Sequence, residues 1–425
     1  MRTLAQWLDY QLQLHDQEID LGLERVRPVW EAMGHLSLPP IITVGGTNGK
    51  GSTLTFLDCA LRASGYKTGL YTSPHLLQYN ERICLNGEMA SDMLLCQAFA
   101  AVEQARDNIP ITYFEFSTLA AMHLFARAEL DILLLEVGLG GRLDAVNLFD
   151  PVVSVVTNVT LDHMDWLGPD VETIGREKAG IFRPNRPAII GMQHPPSSLI
   201  QTAEQLGAPL VQLGRDFWVE NEGGRNAGWD WCSPNHCERS LPWPAMPGRF
   251  QLDNAATAWM ALRTLNALPL FHEKAISRSS LEASLKKAQL PGRLQILPGP
   301  VERWFDVSHN EAAASVIAEH LRQHPPRGRN IAVFGLLRDK DAEAVIQALK
   351  PMIDVWILGG LAGSRGRSGE ELLTTLQQLG ISGKACATIA DAWQEAERLA
   401  QSGDRILAFG SFHVVEEALR AANIL

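Results

Sequence analysis

The chain has 425 residues, 46% hydrophobic and 20% charged, which excludes a mainly disordered or fibrous protein and favours two or three domains. Its 37 Lys and Arg against 48 Asp and Glu give a formal net charge of −11, a poor match for a nucleic-acid backbone. No stretch approaches the roughly 18 consecutive apolar residues that span a bilayer, and the opening Met1-Arg2-Thr3-Leu4-Ala5-Gln6-Trp7-Leu8-Asp9 is too polar for a signal peptide. The expectation is a soluble, cytoplasmic protein with neither a nucleic-acid nor a membrane partner.

In chain order, the first forty residues read as polar helix followed by a loop ending in Leu38-Pro39-Pro40. Ile41-Ile42-Thr43-Val44 is a short apolar strand, followed by a glycine-rich turn and a helical pattern over residues 52–63. Strand, glycine turn and helix open a parallel α/β unit. Further buried strands are predicted at 131–137, 152–157 and 188–191, with helices over 116–128 and 174–181 as crossovers. Residues 215–247 break the rhythm. They carry Trp218, Trp229, Trp231 and Trp243 among Gly, Pro, Asn and Glu, and read as an irregular or antiparallel surface excursion.

The six cysteines (59, 84, 96, 232, 237 and 386) are too sparse for a disulfide scaffold. The run from Cys232 to Cys237 fits no standard zinc spacing. A helix resumes over 253–265. Ala288-Gln289-Leu290-Pro291-Gly292-Arg293 is the best linker, and beyond it strands at 304–307, 331–334, 355–358 and 406–409 restart an α/β pattern. The predicted organisation is an α/β chain: residues 1–290 form a phosphate-loop-type nucleotide-binding domain with a mainly parallel sheet, and residues 291–425 a smaller Rossmann-like α/β domain.

Three segments carry chemistry. Gly45-Gly46-Thr47-Asn48-Gly49-Lys50-Gly51-Ser52-Thr53 lies after a strand and before a helix, where glycines let successive N–H groups turn inward toward an anion. Lys50 can reach transferring phosphates, and Ser52 or Thr53 can coordinate Mg²⁺; because Gly51 follows the lysine, this is a variant of the standard phosphate-loop pattern. Glu136 ends a buried strand in Leu135-Glu136-Val137-Gly138-Leu139-Gly140-Gly141-Arg142-Leu143-Asp144-Ala145. A carboxylate there calls for a partner: either a metal ion or Arg142. His163, in Thr157-Asn158-Val159-Thr160-Leu161-Asp162-His163, is either a metal ligand or a structural histidine.

These motifs occur in order with Thr72-Ser73-Pro74-His75-Leu76, Arg176-Glu177-Lys178-Ala179-Gly180-Ile181, Asp306-Val307-Ser308-His309-Asn310 and Phe409-Gly410-Ser411-Phe412-His413. The ordered set covers nearly the whole chain. It resembles the folylpolyglutamate synthase family of the Mur ligase superfamily, in its bacterial bifunctional branch. The resemblance implies an ATP-dependent amide ligase that joins L-glutamate to dihydropteroate and adds further glutamates to reduced folates through an acyl phosphate, with reactants between two closing domains.

It also implies roles. Gly49, Lys50, Gly51 and Ser52 bind ATP phosphates; Asn254, Arg293 and Asp306 supply the remaining nucleotide contacts. Ser73, Glu136 and His163 are the Mg²⁺ positions, with two ions expected. Lys50, Lys178 and His309 are the catalytic positions, and Lys178 matches a lysine that is carbamylated in this superfamily. Asp20, Leu21, Thr112, Tyr113, Phe114, Glu115, Leu143, Asp144 and Ala145 match the pterin contacts. Val146 and Glu311 stand where the family usually has Thr and Pro. A Mur ligase acting on a peptidoglycan precursor would need a further domain ahead of a loop that here begins near residue 45. A nucleotide switch without ligase activity would leave Glu136, His163 and Arg293 no shared purpose. The resemblance implies dihydropteroate, reduced folates, L-glutamate and ATP as the small-molecule partners, and a monomer.

Overall fold

Near-continuous apolar runs such as Ile132-Leu133-Leu134-Leu135 cannot leave either face in water, and they pair into parallel sheets covered by helices. The computed structural model describes residues 2–34, 36–220, 228–271 and 274–424, and the chain divides into two compact units. The first takes Met1–Thr160, Met164–Ala245 and Gln251–Ala288; the second takes Leu161–His163, Met246–Phe250 and Gln289–Leu425.

The sheet of the first unit contains, among the described residues, β1 (Ile41–Gly45), β2 (Thr68–Tyr71), β3 (Ile83–Leu85), β4 (Glu88–Met89), β5 (Ile132–Glu136), β6 (Val153–Val156), β7 (Ala188–Ile190) and β8 (Leu210–Gln212). Their order is β4-β3-β2-β5-β1-β6-β7-β8, with β3 and β4 antiparallel at one edge and the others parallel. Strand β1 lies between β5 and β6, in a register that pairs Val44 with Glu136 and Gly45 with Val156. The carboxyl ends of these three strands therefore lie side by side, where ligand-binding loops of open α/β sheets gather. A core of Phe99, Phe116, Leu119, Leu133, Leu135 and Tyr71 packs on one face; Val156, Ile174, Ile181 and Ile190 belong to a second cluster.

The expected N-terminal helix is two short ones, Leu4–Gln11 and Val26–Ala32, separated by coil. The helix after the glycine turn begins at Lys50 and runs to Ala63. The excursion at 215–247 is an antiparallel sheet: β9 (Trp218–Glu220), β10 (Trp229–Ser233) and β11 (His236–Leu241). Residues 221–227 of that reading lie outside the described residues. Calling it a surface excursion needs correction, because Trp229 and Trp231 are buried and donate to Pro242 O and Ala256 O. An indole so placed contributes far more apolar burial than it costs in polar desolvation once its N–H is bonded. Cys232 and Cys237 face each other across β10 and β11 and are joined as a disulfide, which the sparse cysteine count did not suggest.

The second unit carries β12 (Gln295–Leu297), β13 (Glu302–Asp306), β14 (Asn330–Phe334), β15 (Val355–Gly359), β16 (Lys384–Cys386) and β17 (Arg405–Phe409), in the order β12-β13-β17-β14-β15-β16. All pairings but β12–β13 are parallel. Trp304, Phe334, Trp356 and Phe409 anchor its core, with the rings of Phe334 and Phe409 stacked at 4.8 Å. No helix among the described residues is long and apolar enough to cross a membrane.

Candidate active site

The phosphate loop of the first unit is held by its neighbours before any ligand is considered. Gly46 (φ +142°) passes so close to Thr157 that a Cβ would lie 1.9 Å from its hydroxyl, and Gly49 (φ +84°) packs against Asn254 with only 2.5 Å for a Cβ. Any side chain at either position would combine a disfavoured backbone conformation with a collision. From the end of β6, Asn158 accepts from Thr47 N (2.9 Å) through its carbonyl and from Asn48 N (2.9 Å) through its side chain, while Thr157 donates to Asn48 O (2.6 Å). Lys50 folds back over the loop and donates to Gly46 O (3.1 Å) and Thr47 O (3.2 Å), so its ammonium is held above the turn. Behind the loop, Asn254 donates to Gln251 (3.0 Å) and Gln251 to the Ser52 hydroxyl (3.3 Å), a buried chain that links Ser52 to the helix Phe250–Asn266.

Glu136 is 5% exposed and accepts from Ser73 N at 3.2 Å, which brings together two of the three expected metal positions. Arg142 does not pair with Glu136; it pairs with Glu177 at 2.9 Å. Lys178 is buried on the helix Val171–Ala179 and packs its backbone against Gly141.

The expected pterin segments also meet in the first unit. Gly22 N donates to Leu143 O (3.2 Å), and Gly138 backs onto Phe114, whose ring lies 2.6 Å from where a Cβ would be. Thr112 and Glu115 form a capping box at the start of the helix Tyr113–Arg127. Asp144 is buried, accepting from Leu139 N (2.8 Å) and Val146 N (2.9 Å). Burial pushes its carboxyl up to about 7, against the opposing pull of these backbone donors and Lys50.

His163, the third expected metal position, belongs to the second unit with its neighbour Asp162. There Asp162 is ringed by cations and donors: Lys340 Nζ at 2.5 Å, His309 Nε2 at 3.5 Å and Asn310 Nδ2 at 3.0 Å. Lys340 Nζ also lies 3.2 Å from His163 Nε2, and His309 Nδ1 lies 2.9 Å from Val307 O. Burial works to raise the Asp162 carboxyl, but His309, Lys340 and His163 outweigh it and hold the group well below the usual carboxylate range. Asp306 accepts from Leu294 N (2.7 Å) and Ser308 N (2.8 Å); burial raises its carboxyl despite the nearby Arg293 cation, which also sits over the Phe412 ring.

Sequence reasoning missed Gln251, Asn158, Asp162 and Lys340 as members of these networks. Asn158 and Asp162 lie inside the motif that ends at His163, and Gln251 lies three residues before Asn254. Lys340 sits in Asp339-Lys340-Asp341, which reads as a solvated charge run but buries its lysine to 8% exposure.

A parallel α/β unit with a strand-end phosphate loop, followed by a second α/β unit, is the architecture of the Mur ligases. Residues 44–262 match the Mur ligase middle domain and residues 292–412 the Mur ligase glutamate ligase domain. The dihydrofolate synthase/folylpolyglutamate synthase of Escherichia coli K12 is 42% identical over 421 residues, covering 99% of this chain and 96% of the relative. The solved structure of E. coli FolC in complex with DHPP and ADP is similar with a TM-score of 0.92 at 42% identity, over 100% of this chain and 98% of that one. A bifunctional folylpolyglutamate synthase/dihydrofolate synthase with Mn, AMPPNP and L-glutamate bound matches with a TM-score of 0.90 at 39% identity, over 100% and 98%. The chain belongs to the dihydrofolate synthase/folylpolyglutamate synthase family.

Proposed function

We propose that this chain is an ATP-dependent ligase that joins L-glutamate to dihydropteroate and adds further glutamates to reduced folates. The observation that carries the reading is the pre-formed phosphate loop, with Lys50 held over it and Glu136 at the neighbouring strand end. A carboxylate does not react with an amine directly; transfer of a phosphoryl group from ATP makes it an acyl phosphate. The glutamate amine then attacks the carbonyl, phosphate leaves, and an amide remains. Lys50 offsets the charge spread over the transferring group, and the loop N–H groups and the helix starting at Lys50 hold the phosphates. Gly49, Gly51 and Ser52 share that task, and Asn254, Arg293 and Asp306 are assigned the other nucleotide contacts.

The oxygen donors Ser73 and Glu136 fit Mg²⁺, which prefers hard oxygen ligands, and His163 is assigned as a further ligand. Bound there, Mg²⁺ would polarise the phosphoryl oxygens. Lys178 is assigned as a carbamate: its neutral amine adds to the carbon of CO₂ and loses a proton, turning a cation into an anion suited to a second ion. His309 is assigned to the glutamate end of the reaction, and Asp20, Leu21, residues 112–115 and residues 143–145 to the pterin. The working species is read as a cytoplasmic monomer.

The test is phosphate release from ATP with dihydropteroate and glutamate, compared with either omitted, and product mass with dihydropteroate or tetrahydrofolate as acceptor. Products heavier by one glutamyl residue are expected from both; release that ignores the acceptor would overturn the reading.

A further inference from the structure

The segments assigned to the pterin come from three distant parts of the chain, and the first of them, around Asp20 and Leu21, is coil between two short helices. Coil has no ladder of backbone hydrogen bonds to hold it, so a binding wall built on it needs a cross-link from elsewhere. Arg25 supplies one. Its guanidinium donates through Nη2 to Asp20 O (2.7 Å) and to Glu115 Oε1 (3.0 Å), while Nη1 lies 2.8 Å from Asp20 Oδ2. The other Glu115 oxygen accepts from Thr112 N at 2.7 Å, so the carboxylate is tied to its own helix start as well as to Arg25. Beside this fork, Gly22 N donates to Leu143 O at 3.2 Å and draws in the third segment. The Glu115 side chain is 4% exposed, which makes this pair far less screened than a surface ion pair.

We infer that Arg25 is a positioning residue for pterin recognition, locking the 20–22, 112–115 and 143–145 segments into one wall; the inference rests on the function proposed above. Two carboxylates already balance its charge, so Arg25 acts by setting backbone positions rather than by binding an anion itself. The planar fork matters: a lysine ammonium offers one charge centre and cannot present parallel donors to Asp20 and Glu115 in fixed geometry. The consequence is selective. Affinity for the pterin acceptor depends on Arg25, whereas ATP binding and the phosphoryl step, which rest on Lys50 and its loop, do not.

The experiment titrates dihydropteroate into the full-length protein with ADP present, by calorimetry, and measures steady-state kinetics for both substrates. Arg25→Met is expected to weaken dihydropteroate binding and raise its KM by about tenfold or more, with kcat and the KM for ATP within about twofold. Arg25→Lys keeps charge and bulk, and so folds even if the methionine variant does not; it is expected to fall between the two. Dihydropteroate binding unchanged in Arg25→Lys and Arg25→Met would overturn the inference, as would an equal rise in the KM for ATP. Should the unaltered protein give no heat with dihydropteroate, the functional reading itself fails, an outcome distinct from a variant that binds as well as its parent.

Discussion

Asp144 in the first unit is buried, and the Asp162 side chain in the second is only 7% exposed, yet the two carry opposite electrostatics. Asp144 is met mainly by backbone N–H groups, and burial lifts its carboxyl to about 7. Asp162 is met by Lys340, His309 and His163, and is held well below the ordinary range. Burial alone therefore does not decide whether an acid is charged; the charge of its nearest neighbours does. One carboxyl stands near the point where it can exchange a proton at neutral pH, while the other is a fixed anion that organises cations around it.

The largest change should come from the cation shared by the phosphate loop and Asp144. Lys50→Ala is expected to cut ligation by about 10³-fold or more while leaving the fold intact, and to push the Asp144 carboxyl further up. Single-turnover assays and a carboxyl titration by NMR check both, and near-normal turnover would remove the phosphate-loop assignment. Next is Lys340→Met, which leaves Asp162 buried without its closest cation and should cost about 3–5 kcal/mol in urea unfolding. Adding Asp162→Asn to that variant should restore most of the loss; if it does not, Lys340 acts through packing rather than charge.

A smaller effect lies in pH. Because the folded chain keeps a proton on Asp144 that the unfolded chain releases from about pH 4, stability from this group falls as pH rises toward about 7 and levels off beyond it. Asp144→Asn should flatten that part of the urea-midpoint profile between pH 5 and 7.5; profiles of equal slope would mean that Asp144 is charged throughout. The smallest effect is expected where charges meet in water. Arg142→Ala breaks a pair whose arginine side chain is 54% exposed, and should cost under about 1 kcal/mol by the same measurement.

Much of this was legible in the sequence where a local signal sufficed. Apolar runs located β1, β5, β6 and β7 within a residue or two, because buried parallel strands need nothing beyond themselves to be recognised. The glycine loop was legible for the same reason, since its turn, its lysine and the following helix are contiguous. Strands β2 and β16 were not, being three or four residues long with threonine, glycine or lysine among them. The antiparallel hairpin was half seen: its tryptophans stood out, but only the register shows that Cys232 lies opposite Cys237. Lys340 and Arg25 were invisible, because the partners that bury or bridge them lie 178 and 90 residues away.

The path of the chain between the two units bears on how the molecule can be taken apart. It passes from one to the other at Thr160, His163, Ala245, Phe250 and Ala288, so no single cut yields both units whole. A piece beginning at Gln289 would leave behind Leu161–His163, and with it the only carboxylate within 3 Å of the Lys340 ammonium among the described residues. Severed there, the second unit would keep Asp339, at 3.8 Å, beside this buried lysine but lose the closer carboxylate to the other fragment. Three residues of main chain, borrowed from the middle of the first unit, thus make the second one covalently dependent on a segment that precedes it by more than a hundred positions.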